Sequence, residues 1–260
     1  MFSLSSIQIT FMQKKLFIPF LALSLATSFI IMNSCKKDVA PAEKAKDYSF
    51  YQGFDSTEAI QQQGWTAKNN SRPFGTTTWG TGEYHWLNDP KKGISAVGTY
   101  PGNSTTHSGE DYIICTFNST GAVTAPAPAK ATSSDWLISP AVPMKNGDII
   151  TFYTRTKDNP TTAPDRLELR INQVNSGVEV GNDSSSVGDF TKLALSVNPN
   201  LTSSGYPGDW TAFSYTISGS PVPKLGRFAF RYYVSKGGPT GPNGTGVGID
   251  DVNFTSKIFP

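Results

Sequence analysis

The chain has 260 residues, with 22 Lys and Arg against 20 Asp and Glu, and its formal net charge at pH 7 is +2. Hydrophobic residues make up 37% of the sequence, and the 24 glycines and 18 prolines are typical of a folded protein with many turns. This balanced charge gives no indication of nucleic-acid binding. Two cysteines are too few for a disulfide framework.

An export signal is predicted at the N-terminus. Two lysines precede an apolar stretch at residues 16–32, and Ser34 comes directly before Cys35. A charged start, an apolar middle and a small residue before the cleavage point are the marks of such a signal. We expect residues 1–34 to be removed as a lipoprotein signal peptide, with a true start at Met12, and we expect Cys35 to be lipidated.

An uncleaved membrane anchor is the alternative, because residues 16–32 approach the roughly 17–25 apolar residues that span a bilayer. Removal of residues 1–34 takes away two lysines and no acid, which leaves 20 charges of each sign and a formal charge of zero. Residues 35–47 (CKKDVAPAEKAKD) are charged and nearly free of large apolar side chains, so they indicate a flexible tether. The lysines after the cysteine resemble the export tags of outer-membrane lipoproteins, so we expect a lipid-anchored protein of the bacterial outer membrane, exposed at the cell surface.

Residues 48–260 are predicted to form one all-β domain, an antiparallel β-sandwich. Apolar and polar side chains alternate in RLELRIN and RFAFRYYV, and such period-two alternation marks half-buried antiparallel strands. The candidate strands are residues 148–156, 166–172, 210–217 and 227–234, and turn clusters separate them. Residues 56–63 are the best helix candidate, and Cys115, in an apolar run, is expected to be a buried structural thiol.

Three ordered motifs resemble one family. They are FYQGFD at residues 50–55 followed by Gly64-Trp65, DWLISP at residues 135–140 before a strand, and GRFAFR at residues 226–231 leading to GIDDV at residues 248–252. This order is similar to the choice-of-anchor J family, which is related to the cleaved adhesin domains of secreted bacterial proteases. The resemblance spans about residues 48–254 and implies a jelly-roll sandwich of the galactose-binding-like or MAM-like type. It also implies a non-catalytic surface module for adhesion or for binding glycan or protein ligands.

One structural Ca²⁺ is the cofactor that the resemblance suggests, since some related jelly rolls hold calcium between the first and last strands. Asp250 is expected to share a strand face with Val252 and Phe254, and an inward carboxylate is costly unless it is paired. Oxygen atoms of Asp55, Asp250 and Asp251 are therefore predicted to bind the cation. The alternative is that Asp250 accepts backbone N–H bonds from a neighbouring turn.

The ligand is expected to contact residues 66–134, which do not match the family pattern. An aromatic segment there offers amphipathic rings that suit a polysaccharide or protein surface. The predicted contacts are Trp79, Tyr84, Trp86 and Tyr100. The alternative for Trp79 and Trp86 is a place in the core, and Trp65, Trp136 and Trp210 are expected to be packing residues.

Catalysis has little support in the sequence, since there is no HExxH or GxSxG motif. His107 lies in a polar loop and is expected to be solvated. The alternative function is a glycoside hydrolase, which needs two carboxylates about 5–10 Å apart. Its candidate carboxylates are Glu83, Asp89, Glu110 and Asp111. A third possibility is a passive assembly subunit without a small ligand.

Overall fold

Two antiparallel β-sheets face each other in the part of the chain that this computed structural model describes, residues 46–55, 57–81, 107–109, 111–121, 131–156 and 163–257. The first sheet contains β1 (Phe50–Gln52), β3 (Gly80–Thr81), β4 (Ile113–Thr116), β7 (Ile149–Thr156), β10 (Thr211–Thr216) and β12 (Gly246–Thr255). The second contains β2 (Thr66–Asn69), β5 (Thr132–Ile138), β6 (Val142–Met144), β8 (Leu167–Asn172), β9 (Lys192–Val197) and β11 (Lys224–Ser235).

The strand order makes β12 and β11 the centres of their sheets. The first sheet runs β10-β7-β12-β4-β3, with β1 also paired to β12, and the second runs β2-β5-β11-β8-β9, with β6 also paired to β11. All the pairings between these strands are antiparallel. The predicted all-β antiparallel sandwich is confirmed for the described residues.

The core lies between the sheets and is built from the side chains that the alternation placed inward. Phe228, Phe230 and Tyr232 of β11 are fully buried, as predicted, and they oppose the fully buried Phe152 and Phe254 of the first sheet. The rings of Phe152 and Phe230 meet edge-to-face at 4.8 Å between centroids, a favourable geometry for aromatic pairs. Aromatic rings therefore join the two sheets.

Two smaller predictions are also confirmed. The helix candidate forms α1 (Thr57–Gln62), and Cys115 is a buried free thiol in the core. No helix within the described ranges is long and apolar enough to cross a membrane. Residues 1–34 and Cys35 lie outside the described residues.

A covering segment closes the outer face of the second sheet. Residues 173–191 place Val180 and Phe190 against Trp136, and all three side chains are buried. The Arg231 guanidinium stacks 4.8 Å from the Trp136 ring and 3.7 Å from the Tyr233 ring, and it also pairs with Glu168 at 3.4 Å. Residues 173–191 therefore cover the outer face of the second sheet around Trp136.

A buried carboxylate on β5 makes the stability of the sandwich depend on pH. Asp135 is fully buried, and its Oδ1 accepts a hydrogen bond from Thr78 at 2.8 Å. Burial raises the pKa of Asp135 well above its usual value, even though the hydrogen bonds to the carboxyl act in the opposite direction. The folded state therefore retains a proton that the unfolded chain releases.

We expect the free energy of unfolding to fall as the pH rises from about 4, because the unfolded Asp135 ionises before the folded one. Asp135→Asn keeps an acceptor for Thr78 and cannot ionise. The free energy of unfolding of this variant should therefore fall less steeply over the same pH range. Urea unfolding at several pH values measures both slopes. Asp183→Asn is the control, because hydrogen bonds from Ser185 lower the pKa of this exposed carboxylate. Equal slopes for the wild type and Asp135→Asn would contradict the prediction.

Candidate functional site

The central strand of the first sheet changes its neighbour in mid-course. Residues 246–249 of β12 pair with β4, and residues 252–254 pair with β1 along the same edge. At the junction the register with β7 shifts between Asp250 and Asn253, and Asp251 has φ 51°. An extra residue in one strand of an antiparallel pair is a β-bulge, and it leaves that residue unpaired.

The structure places Asp250 on the opposite face of the sheet from the one predicted, and the β-bulge is the reason. Val252 and Phe254 face the core as expected, but Asp250 pairs with Tyr153 on the outer face of the sheet. Strict alternation fails here because the bulge shifts the alternation by one position. Asp250 is nevertheless fully buried, since residues 107–109 cover it.

Hydrogen bonds to the two aspartates hold this short loop. Oδ2 of Asp250 accepts the backbone N–H groups of His107 at 2.9 Å and Ser108 at 3.2 Å. Asp251 accepts hydrogen bonds from the Ser108 and Tyr51 hydroxyls, and its other oxygen contacts Nδ1 of His107. The alternative stated from the sequence, in which backbone N–H groups satisfy Asp250, describes this arrangement.

The adjacent carboxylates have opposite pKa shifts. Burial raises the pKa of Asp250 to about 7, although the backbone N–H groups act against the shift. For Asp251 burial also acts to raise the pKa, but the hydrogen bonds from Ser108, Tyr51 and His107 lower it below its usual value. Asp251 therefore carries the negative charge next to the solvent, with its side chain 11% exposed.

Aromatic rings lie beside the aspartates on the same outer face. The His107 imidazole stacks on Tyr153 with 3.6 Å between centroids, and Trp210 meets Tyr112 edge-to-face at 5.3 Å. Gly248 makes room for this contact, because a Cβ there would lie 3.0 Å from Trp210 and 3.1 Å from Tyr112. His107 and Trp210, with 6.4 Å between their centroids, continue the cluster. We call His107, Tyr153 and Trp210 the aromatic platform.

Asp55 joins the site from the chain that follows β1. Its Oδ1 accepts the N–H of Asp111 at 3.4 Å, and a Cβ on Gly109 would lie 2.2 Å from the same oxygen. The predicted trio of Asp55, Asp250 and Asp251 is thus gathered around the loop at residues 107–111. Within the ranges described, no set of three or more His, Cys, Asp or Glu side chains is arranged to hold a metal ion.

Of the predicted ligand-binding aromatics, Trp79 lies within the described residues, and the structure places it in the core. Trp79 is 6% exposed, belongs to the core cluster and lines a cavity of about 60 Å³ with Trp65 and Ile113. Tyr84, Trp86 and Tyr100 lie outside the described residues, so their contacts stay predictions.

Sequence reasoning missed the platform residues. His107 was expected to be solvated, and it is exposed, but its ring also stacks on Tyr153. Trp210 was expected to be a packing residue, and it packs on Tyr112 but stays partly exposed. The outward place of Tyr153 in β7 was available from alternation, because Phe152 faces inward. Tyr153 and His107 are 46 positions apart in the sequence, so no local sequence pattern predicts that their rings are in contact.

Among the described residues of this site, Ser108 and His107 are not arranged as a Ser–His pair. The Ser108 hydroxyl and Nδ1 of His107 each contact Asp251, whereas in such a pair the hydroxyl donates to the histidine. Asp250 has the raised pKa of a general acid, but no part of it is exposed to a substrate. Of the carboxylates considered for a hydrolase, Asp111 is 3% exposed and Glu83, Asp89 and Glu110 lie outside the described residues.

Comparison with known proteins finds similar folds at low sequence identity. No family model matches the chain, and no curated protein matches its sequence. The K1 cleaved adhesin domain of Lys-gingipain from Porphyromonas gingivalis W83 is 17% identical, with a TM-score of 0.48 over 80% of this chain and 98% of that domain. The K2 domain of Lys-gingipain is 15% identical, with a TM-score of 0.48 over 80% and 99%.

A xylan-binding domain is similar to a lesser degree. The CBM22-1 domain of Paenibacillus barcinonensis Xyn10C is 14% identical, with a TM-score of 0.38 over 82% of this chain and 96% of that domain. Likenesses at these levels do not by themselves indicate a shared ligand.

Gly109→Ala should destabilise the protein by about 1–3 kcal/mol, because φ is +66° at this position and the new methyl group would clash with Asp55. Urea unfolding measures the change. Gly80→Ala is the matched control, since a Cβ at Gly80 meets no atom within 4 Å. An equal effect of the two substitutions would show that Asp55 and Gly109 are not in close contact.

Proposed function

We propose that this domain is a non-catalytic module that binds carbohydrate on the outer face of its first sheet. The observation that carries the proposal is the aromatic platform beside the charged carboxylate of Asp251. Aromatic faces pack against the apolar C–H faces of sugar rings, and carboxylate and hydroxyl oxygens accept hydrogen bonds from sugar hydroxyls. The platform and Asp251 bring both kinds of group to one face.

The site is better suited to binding a ligand than to catalysing a reaction of that ligand. Backbone N–H bonds at Asp250, together with the hydroxyl bonds at Asp251, fix the loop that carries His107, so the platform is largely formed before a ligand arrives. Preformed sites lose less conformational entropy on binding. Asp250 is covered by the loop, so it is not accessible as the second carboxylate that a hydrolase would need.

The cellular setting is part of the same proposal. Lipidation at Cys35 would hold the module on the bacterial outer membrane, and the three ordered motifs support membership in the choice-of-anchor J family. The short tether at residues 35–47 would then present the platform at the cell surface to polysaccharide or to protein partners. Mass spectrometry of the mature chain tests this setting directly, since an unacylated Cys35 in an intact chain would overturn it.

Trp210→Ala and Tyr153→Ala should each weaken binding to the recognised polysaccharide by roughly tenfold, because the first removes a stacking surface and the second removes the ring that supports His107. Affinity electrophoresis against a polysaccharide panel that includes xylan measures the change. Phe74→Ala is the control, since Phe74 is 65% exposed and is not part of the platform.

A second variant separates lost binding from lost folding. Ala212 is exposed on β10 and pairs with Tyr153, so Ala212→Arg should cover the platform without removing any packing. Unchanged retention for all three platform variants, or no retention of the wild type across the panel, would contradict the proposed function.

The calcium site at Asp55, Asp250 and Asp251 stays a second proposal. The three side chains supply the oxygen donors that Ca²⁺ prefers, but a cation would have to displace hydrogen bonds from His107 and Ser108. Binding to the folded state alone would stabilise it in proportion to the logarithm of the cation concentration.

We expect CaCl2 to raise Tm relative to a chelator at equal ionic strength, and Asp251→Asn to remove most of that rise. Differential scanning calorimetry measures both. Asp183→Asn, a change in an exposed loop, should keep the full response. No shift for the wild type would rule out a stabilising calcium ion at this site.

A further inference from the structure

A cavity lies at one side of the sandwich, where the described strands of the two sheets end. The strand β2 of the second sheet, the strand β3 of the first sheet and the helix α1 all contribute to its lining. Its volume is about 60 Å³. The buried side chains that line it are Ile60, Trp65, Trp79, Ile113 and Leu137. We call it the edge cavity.

The edge cavity has a mouth on the protein surface. Two of its lining residues, Gln61 and Ala67, are exposed. A third, Gly80, is half-buried, and a Cβ added there would meet no atom within 4 Å. A small ligand can therefore enter without a rearrangement of the sheets.

Two tryptophans of the lining carry hydrogen-bond donors that the fold does not use. Trp65 is 3% exposed and Trp79 is 6% exposed. Neither indole Nε1 has a hydrogen-bond partner within the part of the chain that the structure describes. A buried N–H group without a partner is destabilising, and native structures contain few of them. Two such donors on one cavity indicate a ligand that brings an acceptor.

Packing explains the position of the rings but not their N–H groups. Trp65 meets Phe54 and Phe228 edge-to-face, with 5.3 Å and 5.8 Å between centroids. A phenylalanine ring could make similar apolar contacts without bringing a donor into the interior. A buried tryptophan usually has a partner for its N–H group. The indole nitrogens are therefore the feature of the edge cavity that a ligand would explain.

The chemistry of the lining selects a small neutral group with an oxygen acceptor. None of the described lining residues is charged, so an ion would lose its hydration there without gaining a counter-charge. One water needs roughly 10–15 Å³, so the cavity has room for about four groups of that size. A carbonyl oxygen has two lone pairs and can accept from two donors. An acetamido group has such an oxygen and about that many heavy atoms.

We propose that the edge cavity binds the acetamido group of an N-acetylated sugar. The carbonyl oxygen accepts hydrogen bonds from the indole N–H groups of Trp65 and Trp79. The methyl group packs against Ile113 and Leu137, and the sugar ring stays at the mouth beside Gln61.

The edge cavity is a second site, distinct from the aromatic platform. Ile113 lines the cavity between the sheets, whereas its neighbour Tyr112 packs on Trp210 at the outer face. The choice of a sugar as the carrier of the acetamido group rests on the proposed function. The carbonyl-binding site itself rests on the cavity and its two donors.

The indole N–H resonances test the proposal directly. The chain has 5 tryptophans, and substitution of each by phenylalanine assigns its resonance in a proton–nitrogen correlation spectrum. Titration with methyl N-acetyl-β-glucosaminide should move the resonances of Trp65 and Trp79 downfield, because their N–H groups gain hydrogen bonds. Half-saturation is expected at about millimolar sugar, since few atoms are buried. Methyl β-glucoside, which lacks the acetamido group, should leave both resonances in place.

Variants separate the two donors from the shape of the cavity. Trp65→Phe and Trp79→Phe should each weaken binding of the acetylated sugar by about fivefold, because each removes one hydrogen bond. Trp136→Phe is the matched control. Its indole Nε1 is also buried without a partner, but Trp136 packs with Val180 and Phe190 outside the cavity. Binding by this control should stay within twofold of the wild type.

A further variant keeps both donors and closes the mouth. Ala67 is exposed, so Ala67→Leu should leave the core intact and reduce entry of the sugar by about tenfold. Urea unfolding of every variant shows whether a loss of binding comes from a loss of folding.

Several results would overturn the proposal. They are fixed Trp65 and Trp79 resonances at tens of millimolar acetylated sugar, an equal response to methyl β-glucoside, or an equal loss of binding for Trp136→Phe and Trp79→Phe. A response to N-acetylalanine methylamide but not to the acetylated sugar would assign the cavity to a peptide instead. Trp210→Ala should keep the full response of both resonances, so failure of the edge cavity and failure of the platform can be told apart.

Discussion

Along one of its edges, β12 pairs first with β4 and then with β1, and this change of partner leaves a gap in the first sheet. The features of the sheet's outer face follow from how that gap is filled. Where the edge partner changes, backbone hydrogen bonds are lost and the strand bulges at Asp250 and Asp251. Buried backbone groups must find other partners, because an unpaired one costs about as much as a lost hydrogen bond. The Asp250 carboxylate is the partner of the backbone N–H groups of His107 and Ser108 beside the bulge.

The same loop connects structure to the proposed binding. Because its backbone is fixed by Asp250, the imidazole of His107 is laid flat on Tyr153 and directed toward Trp210. On the second sheet, residues 173–191 cover Trp136, and Arg231 is buried there. The aromatic platform lies on the outer face of the first sheet, and the proposed binding uses that face.

The sequence by itself determined the sandwich, because alternation in β8 and β11 depends only on which side chains are apolar, and burial of those side chains drives the fold. It also identified Asp250 and Asp251 as unusual acids and Cys115 as a core residue. It assigned Asp250 to the wrong face, since a bulge is set by the neighbouring strands and not by the strand's own residues. The tertiary structure decided the platform, because His107, Tyr153 and Trp210 come from separate segments, and His107 reaches the other two only when residues 107–109 pack on β12.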